Sequence, residues 1–334
     1  MKRQLGFEFV RVSESAALAA APWMGKGCKK CVDGAAVDTM RKVFDTMEIN
    51  GTVVIGEGEK DEAPHLYIGE EIGDGRAEPQ LDIAVDPVEG TTLVSKGLPN
   101  ALAVVVVAER HSLLQAPDTY MDKIAVGPKA KGKINLDASV EDNLRAVAGA
   151  VNKSIKDLTI VVLDRPRHKK LINDIRSIGA RIKLISDGDV AGGIATGLSD
   201  SGVDMMMGIG GATEGVLTAA ALRCLGGEIQ ARLKPRNEKD HQKAKDLGIE
   251  DVDKLYFTED LAQGKDIIFS ATAITDGDLL QGLRYSQNSA TSHTMLLRSK
   301  TGTVRFIKTN HTITRKPEYF PKDIFNPDFS NLIE

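Results

Sequence analysis

Cysteine is scarce in this chain of 334 residues: Cys28, Cys31 and Cys224 are too few for the disulfide framework of a small secreted scaffold. Cys28-Lys29-Lys30-Cys31 has C-x-x-C spacing, but no second pair of ligands at similar spacing is there to complete a zinc site. Flanking lysines lower a thiol pKa, so redox control and two incidental small residues both stand as readings of that pair. Aromatic residues make up only 4% of the chain and the formal net charge is −4, which leaves no basic footprint for nucleic acid. No apolar run approaches membrane length. Met1-Lys2-Arg3 leads into a segment holding Glu8, Arg11 and Glu14 rather than a signal-peptide core, so a cytoplasmic protein with neither membrane nor nucleic-acid partner is expected. An internal repeat and a dinucleotide-binding fingerprint are also missing.

Acidic residues, by contrast, cluster where strands should end. Leu81-Asp82-Ile83-Ala84-Val85 reads as an apolar strand followed by Asp86-Pro87-Val88-Glu89-Gly90-Thr91. Pro87 is expected to end regular pairing at once, and Gly90 can take a positive φ, so the chain folds back and aims Asp86 and Glu89 at one point. Close carboxylates raise each other's pKa unless a divalent metal removes the conflict. A second β-branched run, Thr52-Val53-Val54-Ile55, ends in Gly56-Glu57-Gly58-Glu59-Lys60-Asp61-Glu62. A solvated acidic loop is the plain alternative there. Repetition of the pattern at two strand ends favours hard oxygen ligands for Mg²⁺ or Mn²⁺, cations that bind together with substrate phosphate. No Cys or Ser nucleophile sits in a phosphatase-type loop, which favours direct attack by water. This is the equipment of a metal-dependent phosphatase.

The length suggests two lobes, with a boundary near Ala150 to Lys156. Phe9, Val12, Ala16 and Ala19 mark an opening helix, and Asp33-Gly34 leads into another whose stripe is Val37, Met40 and Phe44; Asp33 would then sit at a helix start, as an N-cap or as a ligand. Beyond Leu158 strands and helices alternate: strands at 159–163, 181–185 and 203–208, helices at 165–178, 189–198 and 214–225. Later strands are expected at 267–270 and 295–298, with a charged helical excursion between Pro235 and Asp253. In such a sheet the strand ends carry the binding residues. Asp164-Arg165-Pro166-Arg167 brings two guanidinium forks suited to phosphate. Ser186-Asp187-Gly188-Asp189 offers carboxylates to sugar hydroxyls, or caps a helix. Gly208-Ile209-Gly210-Gly211-Ala212-Thr213-Glu214-Gly215 exposes N–H groups ahead of a helix, where phosphate oxygens can rest.

These motifs occur together and in order. With Ala63-Pro64, Tyr67-Ile68-Gly69-Glu70, Ala116-Pro117-Asp118, Arg165-Pro166-Arg167-His168 and Ser186-Asp187-Gly188-Asp189-Val190-Ala191, they make nearly the whole chain similar to the class II fructose-1,6-bisphosphatases of bacteria, within the superfamily of metal-dependent sugar and inositol phosphatases. The resemblance implies an α/β fold, mixed α+β and α/β in its lobes and layered αβαβα, with the active site between a metal-binding lobe at 1–155 and a substrate-binding lobe at 156–334. It implies that Asp33, Glu57, Asp86, Glu89 and Glu214 hold divalent ions, Mn²⁺ or Mg²⁺. Thr91 would act on the attacking water, with Asp61 or Glu59 as proton acceptor or third-metal ligand. Lys29, Glu89, Gly90, Thr91, Tyr120, Arg165, Pro166, Arg167, Asp187, Gly188, Asp189 and Gly211 would contact the substrate. The implied reaction is hydrolysis of the 1-phosphate of fructose 1,6-bisphosphate, with sedoheptulose 1,7-bisphosphate as an alternative second substrate. An inositol-phosphatase-like enzyme and a non-catalytic sugar-phosphate sensor are further alternatives. A homodimer or homotetramer is implied as well. One departure from the family pattern stands out: Cys28 replaces an aspartate of Gly-(Arg/Lys)-Gly-Asp-Lys, so metal preference and redox sensitivity stay open.

Overall fold

Phe9, Val12, Ala16 and Ala20 recur at helical spacing and are buried along α1 (Leu5–Ala20) in the computed structural model, which describes residues 1–58, 65–316 and 320. A second helix, α2 (Lys29–Phe44), packs against α1 through Val32, Ala36, Val37, Met40 and Phe44. Cys28 caps α2, its Sγ accepting the Cys31 N–H at 3.1 Å. The helix therefore begins at Lys29, and Asp33 lies beyond its first turn rather than at the start expected from Asp33-Gly34. Cys28 and Cys31 are joined by a disulfide.

Three strands and a short helix follow: β1 (Asn50–Ile55), β2 (Glu71–Ile72), β3 (Gln80–Glu89) and α3 (Thr91–Lys96); β4 (Leu102–Glu109) then runs back beside β3. Leu102 to Ala108 are all buried, which accounts for an unbroken apolar run where alternation would mark a half-exposed strand. Pro87 does not end β3. Val104 pairs with Asp86 and Leu102 with Glu89, so three steps along β3 face two along β4, and the proline sits in that bulge. A bulge leaves one residue unpaired and is among the few places where a sheet tolerates proline.

Gly56, just past β1, has no room for a side chain: a Cβ there would run into the carbonyl oxygen of Leu66, which accepts the Glu57 N–H at 3.0 Å. Gly56→Ala is expected to cost about 1–3 kcal/mol, the usual range for overpacking against backbone. An unchanged urea midpoint would show that the 56–66 contact yields freely.

From residue 112 the chain builds a second unit, up to Ile267 and including 299–302. Its elements are β5 (Tyr120–Val126), α4 (Val140–Val151), β6 (Thr159–Leu163), α5 (Lys169–Ile178), β7 (Arg181–Ile185), α6 (Asp189–Thr196), β8 (Met205–Gly211), α7 (Ala212–Leu225), β9 (Glu228–Lys234), α8 (Glu238–Asp246), β10 (Tyr256–Phe257) and α9 (Thr258–Leu261). The sheet order is β10-β9-β5-β8-β6-β7. β6 is parallel to β7 and β8, the βαβ arrangement expected from the alternation, whereas β5 is antiparallel to both β8 and β9. Ile124, Val126, Leu144, Val147, Ile160 and Ile175 are prominent in its core.

The remaining strands, β11 (Ile268–Ala273), β12 (Arg284–Ser286), β13 (Ser289–Arg298) and β14 (Thr303–Thr312), rejoin the first unit. β11 pairs antiparallel with β4 and with β13, giving the order β12-β13-β11-β4-β3-β1-β2 with β14 against β13. The two units therefore divide at 111/112 and 267/268, not at 155/156. Pairing of β5 with β8 draws 112–155 into the second unit, and pairing of β11 with β4 returns 268–298 to the first. The fold is mixed α/β, with two mixed sheets.

Candidate active site

In the first unit three elements carry the acidic groups. Asp33 comes from α2, Glu57 from the turn after β1, Asp86 and Glu89 from the bulged end of β3. Thr91 is the first residue of α3, whose N-cap Gly90 has φ +88° and would drive a Cβ into Leu93 at 2.8 Å. This backbone aims the threonine hydroxyl: Thr91 Oγ1 donates to Asp33 Oδ1 at 2.7 Å, with the Val88 carbonyl a weaker acceptor at 3.3 Å. Asp86 Oδ1 accepts the Val88 N–H at 3.1 Å, and Glu89 is buried.

The electrostatics of this cluster call for a cation. Burial pushes the Asp33 carboxyl above its ordinary range, opposed by the Thr91 hydroxyl and by Lys29. Glu57 is exposed as a residue, yet desolvation of its carboxyl, reinforced by Asp86 and Asp33, pushes it up to about 8. Among the described residues no three His, Cys, Asp or Glu side chains are already arranged as a metal cage. What stands there is a set of mutually repelling oxygen donors, whose chemistry fits a hard divalent ion. Glu59 and Asp61 lie outside the described residues.

In the second unit the strand ends carry the other expected residues. Arg165 Nη2 is 3.3 Å from Asp187 Oδ1, and the guanidinium of Arg167 lies 4.6 Å from the centre of the Tyr120 ring. Arg167 also donates from Nε and Nη2 to the Ile209 carbonyl, at 3.0 and 2.7 Å. Pro166 opens a single 3₁₀ turn, so the helix expected from Arg165 starts at Lys169. Asp189 is the first residue of α6, behind the N-cap Gly188 at φ +76°, which has no side chain to cap with; the Asp189 carboxylate faces Lys123 at 2.6 Å. Glu214, in the first turn of α7, accepts the Thr213 hydroxyl at 2.9 Å, and its carboxyl is pushed up by burial and then by Asp189.

Three residues with clear roles in this geometry escape the sequence patterns. His168 ties the arginine turn to β8: Nδ1 donates to the Leu163 carbonyl and Nε2 accepts the Ile209 N–H, each at 2.7 Å. Burial holds its pKa down, in keeping with a neutral ring that can accept. Arg236, held by Asp240 and by the Asp118 carbonyl, places a second guanidinium 5.2 Å from the Tyr120 ring. Lys123 is buried in the middle of β5. A lysine between Met121 and Ala125 on one face of a strand was the available signal.

A hydroxyl held against a carboxylate cluster can relay a proton from water, and guanidinium groups at neighbouring strand ends can recognise phosphate; each unit by itself carries chemistry that a phosphoric monoester hydrolase uses. Comparison with known proteins narrows that class. A family model described as bacterial fructose-1,6-bisphosphatase, glpX-encoded, matches residues 3–311. The chain belongs to that family. The Escherichia coli (strain K12) protein named fructose-1,6-bisphosphatase 1 class 2 is 47% identical over 329 residues, covering 95% of this chain and 97% of its own length. Proteins of Synechococcus sp. strains JA-2-3B'a(2-13) and JA-3-3Ab, each named D-fructose 1,6-bisphosphatase class 2/sedoheptulose 1,7-bisphosphatase, are 46% identical over 334 residues, covering 93% of this chain and 96% of their own.

Proposed function

We propose that the chain hydrolyses the 1-phosphate of fructose 1,6-bisphosphate, yielding fructose 6-phosphate and phosphate, as a step of gluconeogenesis. The Thr91–Asp33 hydrogen bond inside the acidic cluster is the observation that carries the mechanism. Because Thr91 spends its proton on Asp33, its oxygen lone pairs are left to accept a proton from an attacking water. As that proton arrives at Thr91 Oγ1, the threonine's own proton moves to Asp33 Oδ1, the acceptor it already faces at 2.7 Å. Asp61 or Glu59 would take the proton onward or hold a further cation.

Asp33, Glu57, Asp86 and Glu89 are the proposed ligands in the first unit, and Glu214 is assigned the same role by resemblance. When bound, Mg²⁺ or Mn²⁺ would polarise the phosphoryl oxygens and lower the pKa of a water. Lys29, Glu89, Gly90 and Thr91 would orient the scissile phosphate. Arg165, Pro166 and Arg167 would hold the second phosphate, with Tyr120, Asp187, Gly188, Asp189 and Gly211 along the sugar. The protein is proposed to be a cytoplasmic homodimer or homotetramer; among the described residues no helix is long and apolar enough to cross a membrane.

The test is phosphate release from fructose 1,6-bisphosphate with and without chelator. One phosphate per substrate, with fructose 6-phosphate as product, is expected; chelator should abolish it and added Mn²⁺ or Mg²⁺ restore it. Release that survives the chelator would sink the metal-dependent mechanism. The names of the two Synechococcus relatives favour a second reading, activity on sedoheptulose 1,7-bisphosphate as well. Comparable kcat/KM for the two sugars would establish it.

A further inference from the structure

Lys123 has an expensive position. A lysine ammonium enclosed in protein loses its hydration and is tolerated only with charged and hydrogen-bonding partners. Its Nζ lies 2.6 Å from Asp189 Oδ2 and donates to the Gly211 carbonyl at 2.9 Å, while Glu214 is a second carboxyl group close enough to act on it. Three pieces of the second unit thus meet at one ammonium: β5, the start of α6, and the β8–α7 junction.

The glycines of Gly210-Gly211-Ala212-Thr213-Glu214-Gly215 have a use here other than offering N–H groups to an anion. A Cβ at Gly210 would run into Asp189 Oδ2 and stand 2.9 Å from Lys123 Nζ. One at Gly211 would run into the Glu214 carboxylate, and one at Gly215 would stand 2.8 Å from Met121 Sδ and 3.3 Å from Lys123 Cδ. Gly210 and Gly211 leave space that the buried charged groups fill, and Gly215 leaves space for Met121 and the lysine stem. Held through Oδ2, Asp189 keeps its other oxygen, Oδ1, buried and without a hydrogen-bond partner among the described residues. A buried carboxylate oxygen in that condition wants a donor, and a sugar hydroxyl is one.

We propose that Lys123 is a positioning residue for the sugar: it locks the Asp189 carboxylate in the orientation that presents Oδ1 and fixes the Gly211 carbonyl beside it, without itself touching substrate. The inference rests on the function proposed above, since it takes Asp189 and Gly211 as substrate contacts. It assigns discrimination to a residue with no solvent exposure, and it makes the glycine motif part of the same device.

Lys123→Met keeps the unbranched stem and removes the charge; Gly210→Ala keeps the lysine and wedges a methyl group between the paired charges. Both are measured by calorimetric binding of fructose 6-phosphate and by steady-state kinetics, alongside circular dichroism. The expected result is binding weakened about 10-fold or more in each variant, the loss falling on KM more than on kcat, as loss of ground-state contacts requires. Intact secondary structure with binding equal to wild type in both variants would overturn the proposal. Should Lys123→Met fail to fold, Gly210→Ala decides alone. A wild-type protein that neither hydrolyses fructose 1,6-bisphosphate nor binds fructose 6-phosphate would instead overturn the proposed function, a different outcome from a wild type that binds and variants that bind equally well.

Discussion

Asp33→Asn is expected to lower kcat on fructose 1,6-bisphosphate by about 10³-fold, inside the 10²–10⁴ range of a positioned proton-transfer group. The asparagine keeps the size and one oxygen of the carboxylate but loses its charge, so Thr91 can still find an acceptor while the proton it carries has nowhere to go. Thr91→Ala removes the hydroxyl itself and should cut turnover by about 10²-fold or more. Fructose 6-phosphate binding should change little in Thr91→Ala, because a group that acts on water contributes to the transition state rather than to ground-state affinity. Thr91→Ser, which restores a hydroxyl at the start of α3, should recover most of the rate.

The 2.7 Å hydrogen bond between these side chains makes them a unit, and groups that act as a unit lose activity non-additively. The double variant Asp33→Asn/Thr91→Ala should therefore be little worse than Asp33→Asn alone. Losses that multiply would mean that the two residues act separately and that the relay drawn from the hydrogen bond is wrong. Steady-state kcat for the four proteins, at saturating Mn²⁺ and substrate, supplies the whole cycle.

Local pattern carried much of this site, and long-range pairing carried the rest. The strands at 159–163 and 181–185 agree to the residue with β6 and β7, because short β-branched runs bounded by turns need no tertiary information. The acidic run after β1 and the one at the end of β3 were legible for the same reason. Pro87 was misleading: only the partner strand β4 reveals that a bulge absorbs it. Asp33 was displaced from its expected helix start because Cys28, not an acidic residue, caps α2. The unit boundary was hidden in the pairing of β11 with β4, between residues more than 150 positions apart, about which the periodicity of either strand says nothing. β14 passed unnoticed because its few apolar residues, Val304, Phe306 and Ile307, do not alternate regularly and its second half is polar. Lys123 shows the limit most clearly: its meaning depends on glycines almost ninety positions later that look, by themselves, like an anion-binding loop.

Binding of Mn²⁺ should release about one proton from Glu57 at pH 7 and almost none from it at pH 9, since a ligand must lose its proton before it can coordinate. The source is Glu57, whose carboxyl is pushed up to about 8 by burial and by the charges of Asp86 and Asp33. Without a cation the folded protein holds this proton from its ordinary value of 4.5 up to about 8, whereas the unfolded chain has released it. Stability of the metal-free protein therefore falls as pH rises through that window, the sign required when the folded state binds more protons than the unfolded one. A cation reverses the trend, because it stabilises the deprotonated form and gains affinity as pH rises, by up to about tenfold per unit below 8. Calorimetric titration of Mn²⁺ into metal-free protein, in two buffers of different ionisation enthalpy, reads the proton count directly. Glu57→Gln should eliminate most of the release at pH 7 and flatten the pH dependence of the Mn²⁺-induced rise in Tm. Equal proton release from wild type and variant would move the titrating group elsewhere in the cluster; no release from wild type at pH 7 would mean that Glu57 is ionised before the cation arrives, and that the three carboxylates are held further apart in solution than their repulsion implies.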